Sequence, residues 1–439
     1  MFAHMVTTTD VVVIGSGIIG CSAALELARN GHRVVVVDRQ TGPGRGSTGA
    51  SSTVVRFHYS TWEGVATAWE SRFGWEAWRE HVQARRGSST ARLIKTGGLV
   101  LDGPAFDTPA VLSLFGRVGV PYEVWDAAEI NRQVPALDTG RFWPPKRVTS
   151  DEFWGEPSGT VTGFFTPDSG FVDDPQLAAQ DLRAAAEQGG VQFVGGVSVV
   201  AIEQRADRVC GVTLSTGDEI SAPIVLNAAG PHSGHINALA HVLNDFAVRT
   251  RPLRQEVHVL QAPLNYSLTN GLSPVVNDVD LGTYFRPHPG GSIVVGGLEP
   301  ECDPLNWVEN ADSFDPNPTQ AVWDAQVLRL ARRMPELKVP NRPRGIAHLY
   351  DVSDDWIPIY DRTALGGFYV AIGTSGNQFK NAPVVGHLMN ALIGACEAGH
   401  DHDRDPVLVT LPRTRHSVDM SHYSRLRHGN RLSSRSVMG

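Results

Sequence analysis

Cysteine is scarce in this 439-residue chain: Cys21, Cys210, Cys302 and Cys396 lie far apart and form no CxxC pair. That excludes a disulfide scaffold and a structural zinc centre, so no metal is expected, and it suits a reducing cytoplasm. No apolar run approaches the ~18 residues that a membrane-spanning helix needs. The first ten residues, MFAHMVTTTD, hold no Lys or Arg and so lack the n-region of a signal peptide. Everything before Asp10 reads as a loose tail, with Met5 as an alternative start. A basic surplus is missing too: 38 Lys and Arg stand against 46 Asp and Glu, net −8. Nucleic acid is therefore not an expected partner. Hydrophobic residues make up 41% and charged residues 19%, which predicts large buried cores and excludes a mostly disordered protein. At roughly 100–200 residues per domain, the length predicts two or three compact units in a soluble, cytoplasmic protein.

The order of patterns is that of an α/β protein. Residues 11–14 (VVVI) form a short β-branched run typical of a buried strand. The segment GSGIIG follows at 15–20, then a helical stretch ending before Gly31, then a second strand, 33–37, closing at Asp38. Residues 41–52 are a Gly/Ser-rich loop. From Trp62 to Val82 apolar residues recur at helical spacing, and Trp62, Trp69, Trp75 and Trp78 are expected in the core. Asp173-Asp174-Pro175 opens a helix over 176–188, and four strands are predicted at 191–194, 197–203, 208–214 and 219–226. Further strands are expected at 251–260, 283–287, 292–298 and 368–372, with helices over 318–334 and 383–396. The last 29 residues hold six Arg and one Asp. They read as a solvated basic arm or as an arm docked on this chain or a partner subunit.

VVVIGSGIIG carries the strongest chemistry. Gly15 permits the tight turn, Gly17 lets the backbone approach a pyrophosphate, and Gly20 lets helix and strand pack closely. The helix N-terminus at Ile18 and Ile19 supplies N–H donors to phosphates. Asp38, at the end of the next strand, suits an adenosine ribose and disfavours a 2′-phosphate. A second GxGxxG is absent, so one dinucleotide is expected.

Four segments together resemble the D-amino-acid-oxidase-like family of FAD amine oxidoreductases, and within it the sarcosine oxidase β-subunit-like branch. They are the N-terminal βαβ unit, GSTGASSTVVR (46–56), VLNAAGPHSG (225–234) and GTSGNQFKNAP (373–383). The resemblance implies a Rossmann-type FAD-binding domain with a second, mixed-sheet α+β substrate domain. The FAD-binding domain is expected over 1–85, 160–245 and 345–405, the substrate domain over 86–159 and 246–344, and the basic arm over 406–439. Asp38 and Arg39 would meet the adenosine, and Ser47, Thr48, Ser51 and Ser52 the pyrophosphate and ring. Val199 or Val200 would face the adenine, and Ala229 and Gly230 the diphosphate. Gly373, Ser375, Gly376, Asn377, Gln378 and Lys380 would face the flavin.

By the same resemblance Arg56 and Lys380 would hold the carboxylate of a small amine substrate, with Tyr284 and His348 as further catalytic candidates. His58, Tyr59, Arg286, His288 and Tyr350 are secondary candidates, and His348 and Tyr350 are expected just before a strand near the flavin. The expected reaction is oxidation of a primary or secondary amino acid to an imine. O2 or another acceptor would then take the electrons. Two departures matter. His348 stands where monomeric relatives attach FAD through Cys, so FAD is expected to be non-covalent. Residues 292–297 carry no Lys where those oxidases have one that promotes reaction with O2, so oxidase and dehydrogenase both stay open. A flavin 2-hydroxy-acid or polyol dehydrogenase, and an FAD-binding subunit of a larger complex, are the alternatives.

Overall fold

The computed structural model describes residues 6–104, 106–269, 271, 273–430 and 433–439. Its first sheet has six strands in the order Gln192–Gly195, Val34–Asp38, Val11–Ile14, Ile224–Asn227, Phe368–Ile372 and Ile359–Arg362. The first five run parallel, and the last is an antiparallel edge. Both faces of the central strands are covered, which is why they read as unbroken β-branched runs. Val11, Val13, Val34 and Val36 pack with Leu25 and Leu388 of the helices Ile18–Arg29 and Ala382–Glu397. Val12, Ile14, Val35 and Val37 pack on the other side with Ile202, Val212 and Leu214. Those three belong to a smaller four-stranded sheet, which also contains Val6–Thr8.

A second large sheet is mixed and nine-stranded, built around Thr250–Gln261, Val275–Asp278, Thr283–His288 and Ser292–Gly297. Helix Gln320–Arg333 covers it through Trp323, Val327 and Leu330. Among the described residues no helix is long and apolar enough to cross a membrane.

Several elements differ from expectation. Residues 6–8 are a strand paired to Glu219–Ser221, not tail; the alternative start and residues 1–5 lie outside the described residues. The strand expected at 219–226 is two strands in different sheets, Glu219–Ser221 and Ile224–Asn227, because Pro223 lacks the N–H to continue a ladder. The helix expected over 62–82 breaks at Ala77 into Trp62–Glu76 and Trp78–His81. His348 and Tyr350 lie inside the strand Gly345–Ser353, not before one. That strand pairs with Thr250–Gln261, and Gly163–Thr166 pairs with Gly98–Leu101. Both segments, expected with the FAD-binding part, therefore hydrogen-bond into the nine-stranded sheet. The basic arm is folded against the body: Leu411, Val418, Met420 and Tyr423 join the main core.

Candidate active site

The turn after Val11–Ile14 is built by sterics. Gly15 has φ +107°, and a Cβ on Gly20 would overlap the Gly15 carbonyl oxygen. The first turn of helix Ile18–Arg29 thereby faces a cavity of about 430 Å³. Asp38 borders it and accepts from the Ser16 N–H (2.6 Å), the Ser16 hydroxyl (2.8 Å) and the Gln40 N–H (2.7 Å). Thr48 Oγ1 accepts from the Ile18 N–H at 3.0 Å, and the Ser47 hydroxyl donates to the Leu349 carbonyl at 2.6 Å. Helix N-terminus, carboxylate at the strand end and small hydroxyls are the donors and acceptors a flavin dinucleotide requires.

Most of the expected cofactor residues come together there: Gly15, Gly17, Ile18, Ile19, Asp38, Arg39, Ser47, Thr48 and Ser51 line the cavity. Val199, Ala229, Gly230, Gly376 and Gln378 line it too. Four others do not. Gly20 packs behind the turn. Strand alternation turns Val199 inward and leaves Val200 47% exposed. Gly373 and Ser375 instead hold the loop: the Gly373 N–H donates to the Asp351 carboxylate at 2.6 Å, and the Ser375 N–H to the Asp351 carbonyl at 2.7 Å. Burial pushes the Asp351 carboxyl up to about 7. His348 lines the large cavity, its Nδ1 accepting from the Leu349 N–H at 2.9 Å, and burial lowers its pKa.

A second, much smaller cavity, about 30 Å³, adjoins the first. Ser51, Tyr350, Gly376 and Phe379 border both. Ser52, Arg56, Tyr284, Asn377 and Lys380 line the small one, joined by Asn277 and Val437. Arg56 is 5% exposed and Lys380 3%, and both lie over the Tyr59 ring, at 4.8 and 4.9 Å from its centroid. Arg56 donates to the His58 and Val437 carbonyls, and Lys380 Nζ donates to the Asn377 carbonyl at 2.5 Å. Trp75 Nε1 fixes the Lys380 backbone by donating to its carbonyl at 2.6 Å. Burial lowers the pKa of both cations, and for Lys380 the nearby Arg56 adds to it. Burial, then Arg56 and Lys380, keep His58 neutral by pulling its pKa well down. Arg286 is turned away, donating to the Ser52 carbonyl at 2.7 Å, with burial lowering it to about 10.

Among the residues that escaped the sequence reading are Asp351, Asn277, Phe379 and Val437, together with Glu299, which accepts from the Val437 N–H at 2.8 Å. Asp351 and Glu299 show only as acidic residues in or just after an apolar strand, with other acids close by in sequence, a weak signal. Val437 shows none.

Residues 10–392 match the family described as DAO, FAD dependent oxidoreductase. The chain is 25% identical over 428 residues to FAD-dependent oxidoreductase domain-containing protein 1 of Bos taurus, covering 88% of this chain and 81% of that one. It is 22% identical over 413 residues to glycine oxidase of Geobacillus kaustophilus (strain HTA426), covering 93% and 97%. In fold it is similar to the L-proline dehydrogenase from P. horikoshii, with TM-score 0.74, 22% identity and 96% and 98% coverage.

Proposed function

The chain belongs to the DAO family of FAD-dependent oxidoreductases, and from that premise we propose that it oxidises a primary or secondary α-amino acid to the imine. Water then hydrolyses the imine to a carbonyl compound and an amine. The observation that carries this reading is a pair of buried cations without a carboxylate. Among the described residues, every hydrogen bond of the Arg56 and Lys380 side chains goes to a backbone carbonyl. An unpaired buried charge is strongly unfavourable, so two of them on one wall mark an anion site. A substrate carboxylate would accept from both, each charge-assisted bond contributing about 1.5–3 kcal/mol. It would also offset the burial and the mutual repulsion that lower the pKa of Lys380.

The large cavity takes FAD, which when bound supplies the hydride acceptor. Asp38, Thr48 and the Gly15–Gly20 turn hold it. None of the four cysteines lines either cavity, which supports non-covalent attachment. Tyr284 and Tyr350 wall the small cavity and, with Phe379, exclude bulk water from the reacting carbon. His348, on the cofactor side, acts as a neutral cofactor neighbour and not on substrate. Glycine oxidase and L-proline dehydrogenase name a primary and a secondary amino acid, the two classes proposed here. O2 or another acceptor closes the cycle.

The test is an anaerobic absorbance titration with sarcosine and a panel of free and N-methyl amino acids, using the parent chain, Arg56→Ala and Lys380→Met. One of these amines should bleach the flavin, and each variant should lower kcat/KM for it about tenfold or more, mainly through KM. Acid precipitation should release the yellow colour. Bleaching by hydroxy acids but not amines would instead select C–O oxidation, and indifference to both substitutions would remove the carboxylate assignment.

A further inference from the structure

Val437, within the segment 433–439, is one wall of the small cavity. Arg56 Nη2 donates to the Val437 carbonyl oxygen. The Val437 N–H donates to Glu299 Oε2 at 2.8 Å, while Gln255 Nε2 donates to Glu299 Oε1 at 2.9 Å. One residue thus offers its nitrogen to an acid and its carbonyl oxygen to a buried cation, with a single α-carbon between them. That is the connectivity of an α-amino acid.

The surroundings are polarised to match. Arg56 and Lys380 stand at one end without a carboxylate, and Glu299 stands at the other with no cationic partner among the described residues. Burial pushes the Glu299 carboxyl up to about 8. Its backbone is also held at φ +49°, a left-handed conformation uncommon for a Glu and kept by its surroundings. Unpaired cations facing an unpaired acid across one residue's length suit a zwitterion. The remaining volume, about 30 Å³, has room for a few waters and not for an amino acid.

We propose that Val437 occupies the substrate's place. Once residues 433–439 swing out, Glu299 holds the nitrogen of an α-amino acid whose carboxylate goes to Arg56 and Lys380. The inference rests on the carboxylate assignment made above, and it adds a nitrogen-binding residue and a displaceable plug.

The experiment is calorimetric titration of the FAD-loaded, anaerobically reduced enzyme, in which no ligand can be oxidised, with glycine and with acetate. Deleting residues 433–439 should tighten glycine at least tenfold over the full chain. Val437→Pro, which removes the N–H that meets Glu299, opens the site without shortening the chain and serves as a second background. In either background Glu299→Gln should weaken glycine at least tenfold and leave acetate within twofold, and Glu299→Asp should recover part of the loss. Equal effects on the two ligands, or no effect of opening the site, would overturn the proposal. Arg56→Ala in the same backgrounds separates the two readings. If it weakens acetate while Glu299→Gln spares glycine, only the present inference falls. If acetate ignores Arg56, the carboxylate assignment falls and this inference with it.

Discussion

At the residue scale the site is a set of charges held away from water, and Asp351 shows how such a charge acts on the fold. Its carboxyl is buried and raised from 3.8 to about 7, chiefly by burial, while the Gly373 N–H pulls the other way. Between pH ~4 and 7 the native state keeps a proton that the unfolded chain has already lost. Stability therefore falls as pH rises through that window, by up to about 4 kcal/mol, and is flat above it. Asp351→Asn cannot ionise and retains an acceptor for the loop. Its Tm relative to the parent should rise steadily from pH 5 to pH 8 in calorimetric scans; a difference that ignores pH would show that Asp351 is not the group titrating. Arg56 and Lys380 were legible because each sits in a contiguous motif. Glu299 and Asp351 were not, because neither belongs to a motif that sets it apart from the acids beside it. Glu299 meets Val437 from 138 residues away, and Asp351 meets Gly373 from 22.

At the element scale, two helices approach each other closely on one face of the six-stranded sheet. Ile18–Arg29 and Ala382–Glu397 cross where the Ser22 hydroxyl donates to the Ala382 carbonyl (2.5 Å) and accepts from the Gly386 N–H (3.0 Å). A Cβ on Gly386 would overlap the Ser22 carbonyl oxygen. Gly386→Ala should therefore destabilise by about 1–3 kcal/mol through overpacking, although alanine favours a helix. A Tm lowered by several degrees would bear this out, and an unchanged or raised Tm would show that the helices can part freely. Both helices were legible, since periodicity and caps are local. Their contact was not, because an internal glycine reads the same whether it packs or merely weakens a helix. The break at Pro223 shows the same limit: two apolar runs either side of it looked like one strand until pairing partners were known.

At the scale of the whole molecule, the described residues of the basic arm pack on the body instead of trailing from it. Arg425 is buried and pairs with Asp245 (2.7 Å), Asp403 (2.8 Å) and Asp361 (3.1 Å). Arg427 pairs with Asp355 at 2.7 Å. Arg425→Ala would leave those acids facing each other without a cation, which typically costs about 3–5 kcal/mol. Urea denaturation should show a correspondingly lower midpoint, and an unchanged midpoint would mean the network adds nothing net. Counting charge along the arm could not distinguish arginines reaching for a partner from arginines meeting carboxylates of their own chain.

The sequence by itself determined the nucleotide-binding half of this protein. Strand, glycine turn, helix and acidic strand end follow one another within forty residues, and each is dictated by short-range sterics and hydrogen bonding. The hydroxyl-rich loop and the Arg56 and Lys380 motifs were likewise readable in place. Only the tertiary structure decided what the proposed substrate pocket contains. Its walls come from residues within 51–56 and 376–380 and from Asn277, Tyr284, Tyr350 and Val437, brought together by two sheets and a folded-back segment. Such contacts depend on how buried surfaces fit across hundreds of residues, and no local pattern records that.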